Sequence, residues 1–202
     1  CHSKTQEEIN ELLIRLAREG KRVVRLKSGD PLVFGRAGEE LAALREAGIS
    51  HEVVPGVTAA VAAAADFELP LTLRGVASSL VFTTGHDLKG EALPDWARLA
   101  IDGATVAVYM GRSTAAEVAG RLQEAGLSPD TAVAVAENAS LPQRRLFHGT
   151  LSDLPSLQDR VDLTGPVLTI IGDAVAGASF EGSQPLAAWR GSKTKSRRRL
   201  TT

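Results

Sequence analysis

"RLKSGDPLVFGRAGEE", residues 25–40, decides how this chain is organised. Strand-type residues end at Ser28-Gly29-Asp30-Pro31, and a turn then leads into an acidic helix start. In open α/β sheets, ligands bind beside the loops that follow the carboxyl ends of strands. Gly29 permits a close backbone approach, and Pro31 biases Asp30 towards an extended conformation. The loop predicts either a ligand contact by Asp30 or a turn in which Asp30 bonds its own backbone.

Helices and strands alternate on both sides of this loop. Thr5 and Glu8 stand at capping-box spacing before an amphipathic run that stops at Gly20. The order helix, strand, helix, strand, helix predicts parallel strands with right-handed crossovers and an α/β fold. The predicted elements are a helix over 5–20, a strand over 22–26, a helix over 39–47, a strand over 51–54 and an Ala-rich helix over 58–66.

The second half of the sequence repeats the alternation. Strands are expected in residues 78–85, 104–111, 131–137 and 166–174, and helices in 94–100 and 114–126. A doubly wound domain normally begins with a strand, whereas this sequence reaches a helix cap at Thr5, so the first strand or strands are expected to be missing. The expected organisation is an N-terminal α/β domain over 1–74, a C-terminal α/β domain over 75–180 and a basic tail over 181–202.

Composition limits the class of protein. The 202 residues are 44% apolar and 23% charged, and the formal charge is -1. No membrane span or secretory leader is recognised, which predicts a cytoplasmic protein. One cysteine and four histidines without ligand spacing give no predicted metal site.

The charge is unevenly distributed. From Arg190 onward there are six basic residues and no acidic ones, which leaves 17 basic against 24 acidic residues before it. The tail is predicted to be disordered, either as a solvated end or as a contact for nucleic acid or an acidic partner. Because the body is acidic, binding of nucleic acid is not expected.

Two further loops are candidates for ligand contacts. Pro55-Gly56 forms a predicted turn before Thr58, a possible helix N-cap, and Met110 follows a strand where an apolar pocket wall could lie. Met110 is equally well interpreted as core, because methionine fills irregular gaps. The sequence has neither a P-loop nor a G-x-G-x-x-G pattern, which disfavours ATP and NAD.

Six ordered blocks resemble the tetrapyrrole methylase family, and within it the members that methylate uroporphyrinogen III. The blocks are "QEEINELL", "GKRVVRLKSGDPLVFGRAGEE", "VVPGVTAA", "PLTLRGVASSLVFTTGH", "VYMG" and "QRRLFHGTL". The resemblance implies two α/β domains with the cofactor cleft between them, a homodimer, and S-adenosyl-L-methionine as cofactor. It also implies methylation at carbons 2 and 7 to give precorrin-2, in sirohaem or cobalamin biosynthesis. The domain boundary is expected near Arg74.

The resemblance also implies the residues of the site. Arg36 is expected on the substrate side, and the family's proton-transfer residues would lie upstream of Cys1. The sulfonium of the cofactor already activates its methyl group, so the protein chiefly positions the reactants. Arginine suits the carboxylates of a tetrapyrrole, which makes Arg74 and Arg112 further candidates. Cofactor contacts are expected at Ser28, Gly29, Asp30, Val33, Thr58, Ala59, Met110 and Ala139.

Three residues depart from the pattern that the family shows. Ser28 and Glu68 each replace a glycine, and Ser28 is harmless only if its φ is negative. Leu73 stands where the family has histidine, which removes a polar group from the expected cleft. An enzyme and a non-catalytic binding or dimerisation module of the same fold therefore both remain open, and the 202 residues alone are expected to show weak or no activity.

Overall fold

A computed structural model describes residues 4–85, 97–98, 100 and 103–188. Its contacts divide the chain into two units, Cys1–Ala62 (unit 1) and Ala63–Thr202 (unit 2). The division falls inside an Ala-rich helix, whereas the boundary expected from the sequence lies near Arg74 and stays a prediction. Beyond the division, Phe67 is fully buried in unit 2, where its ring lies edge-on to that of Phe180.

Unit 1 contains the helices that the sequence predicts. They are α1 (Gln6–Arg18), α2 (Ala37–Glu46) and α3 (Ala59–Asp66), whose last residues belong to unit 2. The capping box is confirmed, because the Thr5 hydroxyl accepts from the Glu8 N–H and the Glu8 carboxylate accepts from the Thr5 N–H. Gly20 and Gly48 follow α1 and α2 with φ of +72° and +68°, the left-handed conformation in which helices commonly end.

The two strands predicted in unit 1 are not formed. Residues 21–27 and 51–57 belong to no helix or ladder, although both segments are rich in valine. Val24, Leu26 and Val54 are 80%, 84% and 73% exposed. A strand is stabilised by a neighbour that accepts and donates its backbone hydrogen bonds, and these segments pair with none of the described residues. The parallel sheet expected here is therefore absent from the described part of unit 1.

Unit 2 is built on a six-stranded sheet. The strands are β1 (Leu80–Thr84), β2 (Thr105–Tyr109), β3 (Ala132–Glu137), β4 (Arg145–Thr150), β5 (Val167–Ile171) and β6 (Gln184–Pro185), in the order β1-β2-β5-β3-β4-β6. The predictions for β1, β2, β3 and β5 are confirmed, whereas β4 and β6 were missed. The sheet is mixed, because β1–β2 and β4–β6 are parallel and the other three pairs are antiparallel.

Helix α4 (Ala115–Glu124) covers part of this sheet, as the sequence predicts. Its Val118 and Leu122 pack with buried strand residues such as Val106 and Phe147 in one apolar cluster. Strands β2 and β3 are buried along almost their whole length, which matches their continuous apolar runs.

The C-terminal part differs from the prediction of a disordered tail over 181–202. Residues 184–188 form β6 and a short 3-10 helix, and Leu186 is fully buried in the apolar cluster. Leucine carries enough apolar surface to hold this segment on the sheet. Residues 189–202, with the basic run, and most of the helix predicted over 94–100 lie outside the described residues.

Candidate functional site

Asp30 joins the first two candidate loops. One carboxylate oxygen accepts from the N–H of Leu32 at 2.8 Å, and the other accepts from the N–H of Gly56 at 2.9 Å. The backbone-bonded turn is therefore formed, and the same side chain also reaches the second loop. The Gly56 amide and then the Leu32 amide lower the pKa of Asp30 below its usual value, because both donate to the ionised form.

The backbones of the two loops are in contact. A Cβ atom on Gly56 would lie 2.3 Å from the carbonyl oxygen of Gly29. Gly29 itself has φ of +72°, so both positions require glycine for a physical reason. The exposed residues 28–29 and 54–57 thus lie at one place in unit 1.

The remaining site residues predicted in unit 1 lie around these loops. The backbone of Ser28 does not have a positive φ. Serine in place of the family's glycine is therefore harmless to the backbone at this position. The Val33 N–H donates to the Asp30 carbonyl. Thr58 occupies the N-cap position of α3, since its carbonyl accepts from Val61 and Ala62, and Ala59 opens that helix. Their roles in binding the cofactor stay predictions.

Arg36 is held by its own helix. Its guanidinium donates through two nitrogens to both carboxylate oxygens of Glu39, each at 2.7 Å, and both side chains are exposed. Arg36 has φ of +57° and Phe34 has φ of +51°, and a Cβ on Gly35 between them would clash with the Pro31 carbonyl. The turn therefore holds two non-glycine residues in a conformation that is costly for them.

Met110 borders a separate depression in unit 2. It follows β2, has φ of +52° and is 46% exposed, so it is not core. The depression has a volume of about 370 Å³ and is lined by Met110, Arg112, Ser113, Gln158, Gly165 and Val167. An exposed apolar side chain on a wall of this kind can contact a ligand.

Ala139 lies in a turn whose residue Asn138 is close to Gly165 of this wall. Its neighbours Asn138 and Ser140 have φ of +54° and +64°, and a Cβ on Gly165 would clash with the Asn138 side chain. The Ser140 N–H donates to Asp66 at 2.7 Å, which fixes the turn that carries Ala139. Within unit 2, Asn138, the neighbour of Ala139, thus lies beside Gly165 of the wall that contains Met110.

Glu137 supports the same region and was missed by sequence reasoning. Its side chain is buried, and it accepts from Arg145 at 2.6 Å and from the N–H groups of Thr164 and Gly165 at 2.7 Å. Burial raises the pKa of Glu137, but these hydrogen bonds outweigh it, so the pKa lies below its usual value. The sequence signal that could have identified Glu137 is a carboxylate at the end of an apolar strand.

The other candidate arginines differ in their surroundings. Arg112 donates to the backbone carbonyls of Leu163 and Arg160 at 2.5 and 2.6 Å, which gives it a structural contact. Arg74 is exposed in a turn closed by paired hydrogen bonds between Leu73 and Ala77. Leu73 itself is 38% exposed.

Backbone strain coincides with the predicted site. Among the described residues, six non-glycine residues have positive φ, and five lie at or within two positions of a predicted site residue. Strained residues of this kind concentrate at functional sites. The sixth is Glu68, the position where the family pattern has glycine, so this departure places glutamate in a conformation that favours glycine.

In residues 4–85 and 103–188, no group of three or more His, Cys, Asp or Glu side chains could hold a metal ion. The helices of the described chain are each too short or too polar to cross a bilayer.

The chain matches a known family over most of its length. The family described as Tetrapyrrole (Corrin/Porphyrin) Methylases matches residues 1–155. A siroheme synthase of Edwardsiella ictaluri is 49% identical over 86% of this chain, which covers 37% of that protein. The chain therefore spans little more than a third of the length of this curated relative.

Solved structures of methyltransferases are also similar to this chain. Uroporphyrin-III-C-methyltransferase from Thermus thermophilus is 43% identical and aligns over 85% of this chain and 73% of that chain, with a TM-score of 0.73. The same enzyme complexed with S-adenyl homocysteine is 40% identical and aligns over 85% of this chain and 75% of that chain, with a TM-score of 0.71. These similarities confirm the α/β tetrapyrrole methylase fold expected from the sequence.

Proposed function

The chain belongs to the tetrapyrrole methylase family, and we propose that the protein methylates uroporphyrinogen III at carbons 2 and 7 to give precorrin-2, with S-adenosyl-L-methionine as methyl donor. Curated relatives called siroheme synthase favour a place in sirohaem biosynthesis. The proposal includes a cytoplasmic homodimer, as the family resemblance implies.

The observation that carries the proposal is the joined pair of loops in unit 1. Asp30 bonds Gly56 across the two loops, and the backbones of Gly29 and Gly56 approach so closely that a side chain would not fit. Residues 28–29 and 54–57 of this cradle are exposed, and backbone groups of such turns can bond a ligand with amino, carboxylate and hydroxyl groups. The related Thermus enzyme, which has a complex with S-adenyl homocysteine, supports this choice of ligand.

The residues present fit a reaction that depends on positioning. The cofactor supplies a methyl group activated by its sulfonium, so the protein needs no strong nucleophile of its own. Rigid loops hold a bound molecule in one orientation, and this lowers the entropic part of the barrier. Asp30 contributes by fixing two loops at once, and Met110 contributes an apolar wall in unit 2.

Arg36 is the proposed contact for a substrate carboxylate. Its planar fork is already oriented by Glu39, with both hydrogen bonds at 2.7 Å. Exposed ion pairs of this kind contribute little to stability, so a carboxylate of the substrate can replace Glu39 at small cost.

The proposal is tested by titrating S-adenosylhomocysteine into the 202-residue chain and into the full product of its gene. We expect micromolar dissociation constants, and Asp30→Ala should weaken binding by about tenfold or more, because two backbone amides lose a charged acceptor. Asp130→Ala, in an exposed turn before β3, serves as the control and should change binding little.

Activity is then measured with S-adenosylmethionine and uroporphyrinogen III, with mass spectrometry to detect the addition of two methyl groups. If the full gene product shows no saturable binding of S-adenosylhomocysteine, the methyltransferase proposal is wrong. Binding without methylation would instead support the non-catalytic module.

A further inference from the structure

Lys27 precedes the loop 28–36 in the chain, and its side chain returns to the far end of that loop. The ammonium donates to the carbonyl oxygen of Gly35 and, at 2.9 Å, to Glu40. The two side chains are only 11% and 7% exposed. One largely buried ammonium thus connects the beginning of the loop to its end.

Glu40 holds this ammonium from helix α2. Its other carboxylate oxygen accepts from Gln6 of α1 at 3.2 Å and from Arg25 at 3.1 Å. Burial raises the pKa of Glu40, but the hydrogen bonds from Lys27, Gln6 and Arg25 outweigh it, so the carboxylate stays ionised at neutral pH. The group of Lys27, Glu40 and the Gly35 carbonyl is called the clamp below.

The loop needs such a contact because its turn is strained. Phe34 and Arg36, on either side of Gly35, have positive φ, and the segment has no strand ladder to hold it among the described residues. Strained backbone persists only where surrounding contacts fix it. The clamp fixes the carbonyl between these two residues.

We propose that Lys27 is the positioning residue of the loop 28–36, because its ammonium, held by Glu40, fixes the carbonyl of Gly35. The clamp thereby keeps residues 28–30 in the conformation that receives the cofactor. This second step rests on the proposed function, whereas the first concerns the loop alone.

The experiment compares three variants of the full chain. Lys27→Met removes the charge with similar volume, and Lys27→Arg keeps a cation. Lys21→Met is the matched control, because Lys21 also pairs with a glutamate, Glu19, but on the surface. Hydrogen–deuterium exchange is followed for peptides that cover residues 28–36, and S-adenosylhomocysteine is titrated in parallel.

In Lys27→Met, exchange of the bonded Leu32 and Val33 amides should accelerate about tenfold or more, since their protection depends on the fixed loop. Affinity for S-adenosylhomocysteine should fall by about tenfold or more, because the loop must then be ordered on binding. Lys27→Arg should recover both properties to within about threefold, and Lys21→Met should match the wild type.

Each result decides one step. Unchanged exchange of the loop in Lys27→Met overturns the proposal. Equal loss of protection in the loop and in α1 also overturns it, because Lys27 would then stabilise unit 1 as a whole. If the wild type binds no S-adenosylhomocysteine but exchange of the loop still accelerates, the clamp is supported and only the cofactor step fails.

Discussion

Unit 1 and unit 2 contain similar apolar segments with opposite structural outcomes. Val24 and Leu26 are 80% and 84% exposed in an unpaired extended segment, whereas Val106 and Val108 of β2 are essentially fully buried between two neighbouring strands. β-branched and apolar residues make a strand possible, but neighbouring strands decide whether it forms. Strand propensity is therefore realised only where a ladder is available.

The presence of a sheet in unit 2 and the lack of strand pairing in the described part of unit 1 also affect the candidate site residues. In unit 2, the sheet carries Met110 at the end of β2 and Glu137 at the end of β3. In unit 1, the loop 28–36 depends on a few polar contacts, chiefly those of Asp30 and Lys27. Substitutions should therefore act globally in unit 2 and locally in unit 1.

The largest expected effect comes from truncating one apolar side chain in each unit. Phe147→Ala should lower the free energy of unfolding by about 3–5 kcal/mol, because Phe147 is fully buried and leaves a cavity. Leu26→Ala should change it by less than about 0.5 kcal/mol, because this side chain is already in water. Urea unfolding followed by circular dichroism measures both variants.

The variants Leu26→Ala and Phe147→Ala also test whether the apolar segment of unit 1 is exposed in solution. A loss of stability in Leu26→Ala as large as that in Phe147→Ala would mean that Leu26 is covered in solution. The contrast between an exposed and a buried apolar segment would then not hold. Dependence of that loss on protein concentration would identify a second copy of the chain as the cover.

Much of the fold could be predicted because local signals and packing agree. The capping box of Thr5 and Glu8 and the apolar runs of β2, β3 and β5 all give the elements that form. Strand β4 was missed because Arg145 and His148 interrupt its apolar pattern, yet β3 pairs with it throughout. The antiparallel pairings of β5 with β2 and β3 depend on contacts distant in sequence, which no local pattern specifies.

The candidate site was predicted less completely. Gly29 and Asp30 were predicted because glycine and aspartate favour turns, although the strand expected before them is not formed among the described residues. The supporting ions Lys27, Glu40 and Glu137 were missed, because an isolated charged residue in a sequence is usually solvated. Their burial becomes visible only when the partners are placed in space.

The next effect concerns acid stability in unit 2. Asp162 accepts from Arg160 at 2.8 Å and from Arg145 at 2.9 Å. The hydrogen bonds from Arg160 chiefly lower its pKa from 3.8 to about 2. Because the folded pKa is depressed, this stabilisation is present above about pH 4 and is lost as the pH falls to about 2.

The variant Asp162→Asn should be less stable than the wild type by about 1–2 kcal/mol at neutral pH, a value that allows for solvent around this side chain. The difference should shrink towards zero near pH 2, as measured by urea unfolding across this range. Asp130→Asn provides the control. A difference that is constant with pH would show that Asp162 acts through packing rather than charge.

Low pH should also affect the two units differently. Asp30 likewise has a lowered pKa, but through backbone amides of two exposed loops. Its protonation as the pH falls below the usual aspartate range should loosen residues 28–36 without unfolding unit 2. Hydrogen exchange of the Gly56 amide measures this local effect, and Asp30→Asn should remove most of its pH dependence.

The smallest expected effect compares Glu68 in unit 2 with Ser28 in unit 1, two positions where the family pattern has glycine. Glu68 has φ of +51°, whereas Ser28 has no positive φ. A non-glycine residue in the left-handed region costs roughly 1–2 kcal/mol. Glycine relieves this strain but loses about 0.5–1 kcal/mol through the greater freedom of the unfolded chain.

Glu68→Gly should therefore raise the free energy of unfolding by up to about 1 kcal/mol, because relief of strain exceeds the entropic loss. Ser28→Gly has no strain to relieve, so it should be neutral or destabilising by about 0.5–1 kcal/mol. Thermal unfolding of both variants measures the two signs. A lower melting temperature in Glu68→Gly would show that the Glu68 side chain contributes a favourable contact. Stabilisation by Glu68→Gly together with destabilisation by Ser28→Gly would instead mean that the backbone of unit 2 favours glycine at residue 68, whereas residue 28 accommodates serine in unit 1.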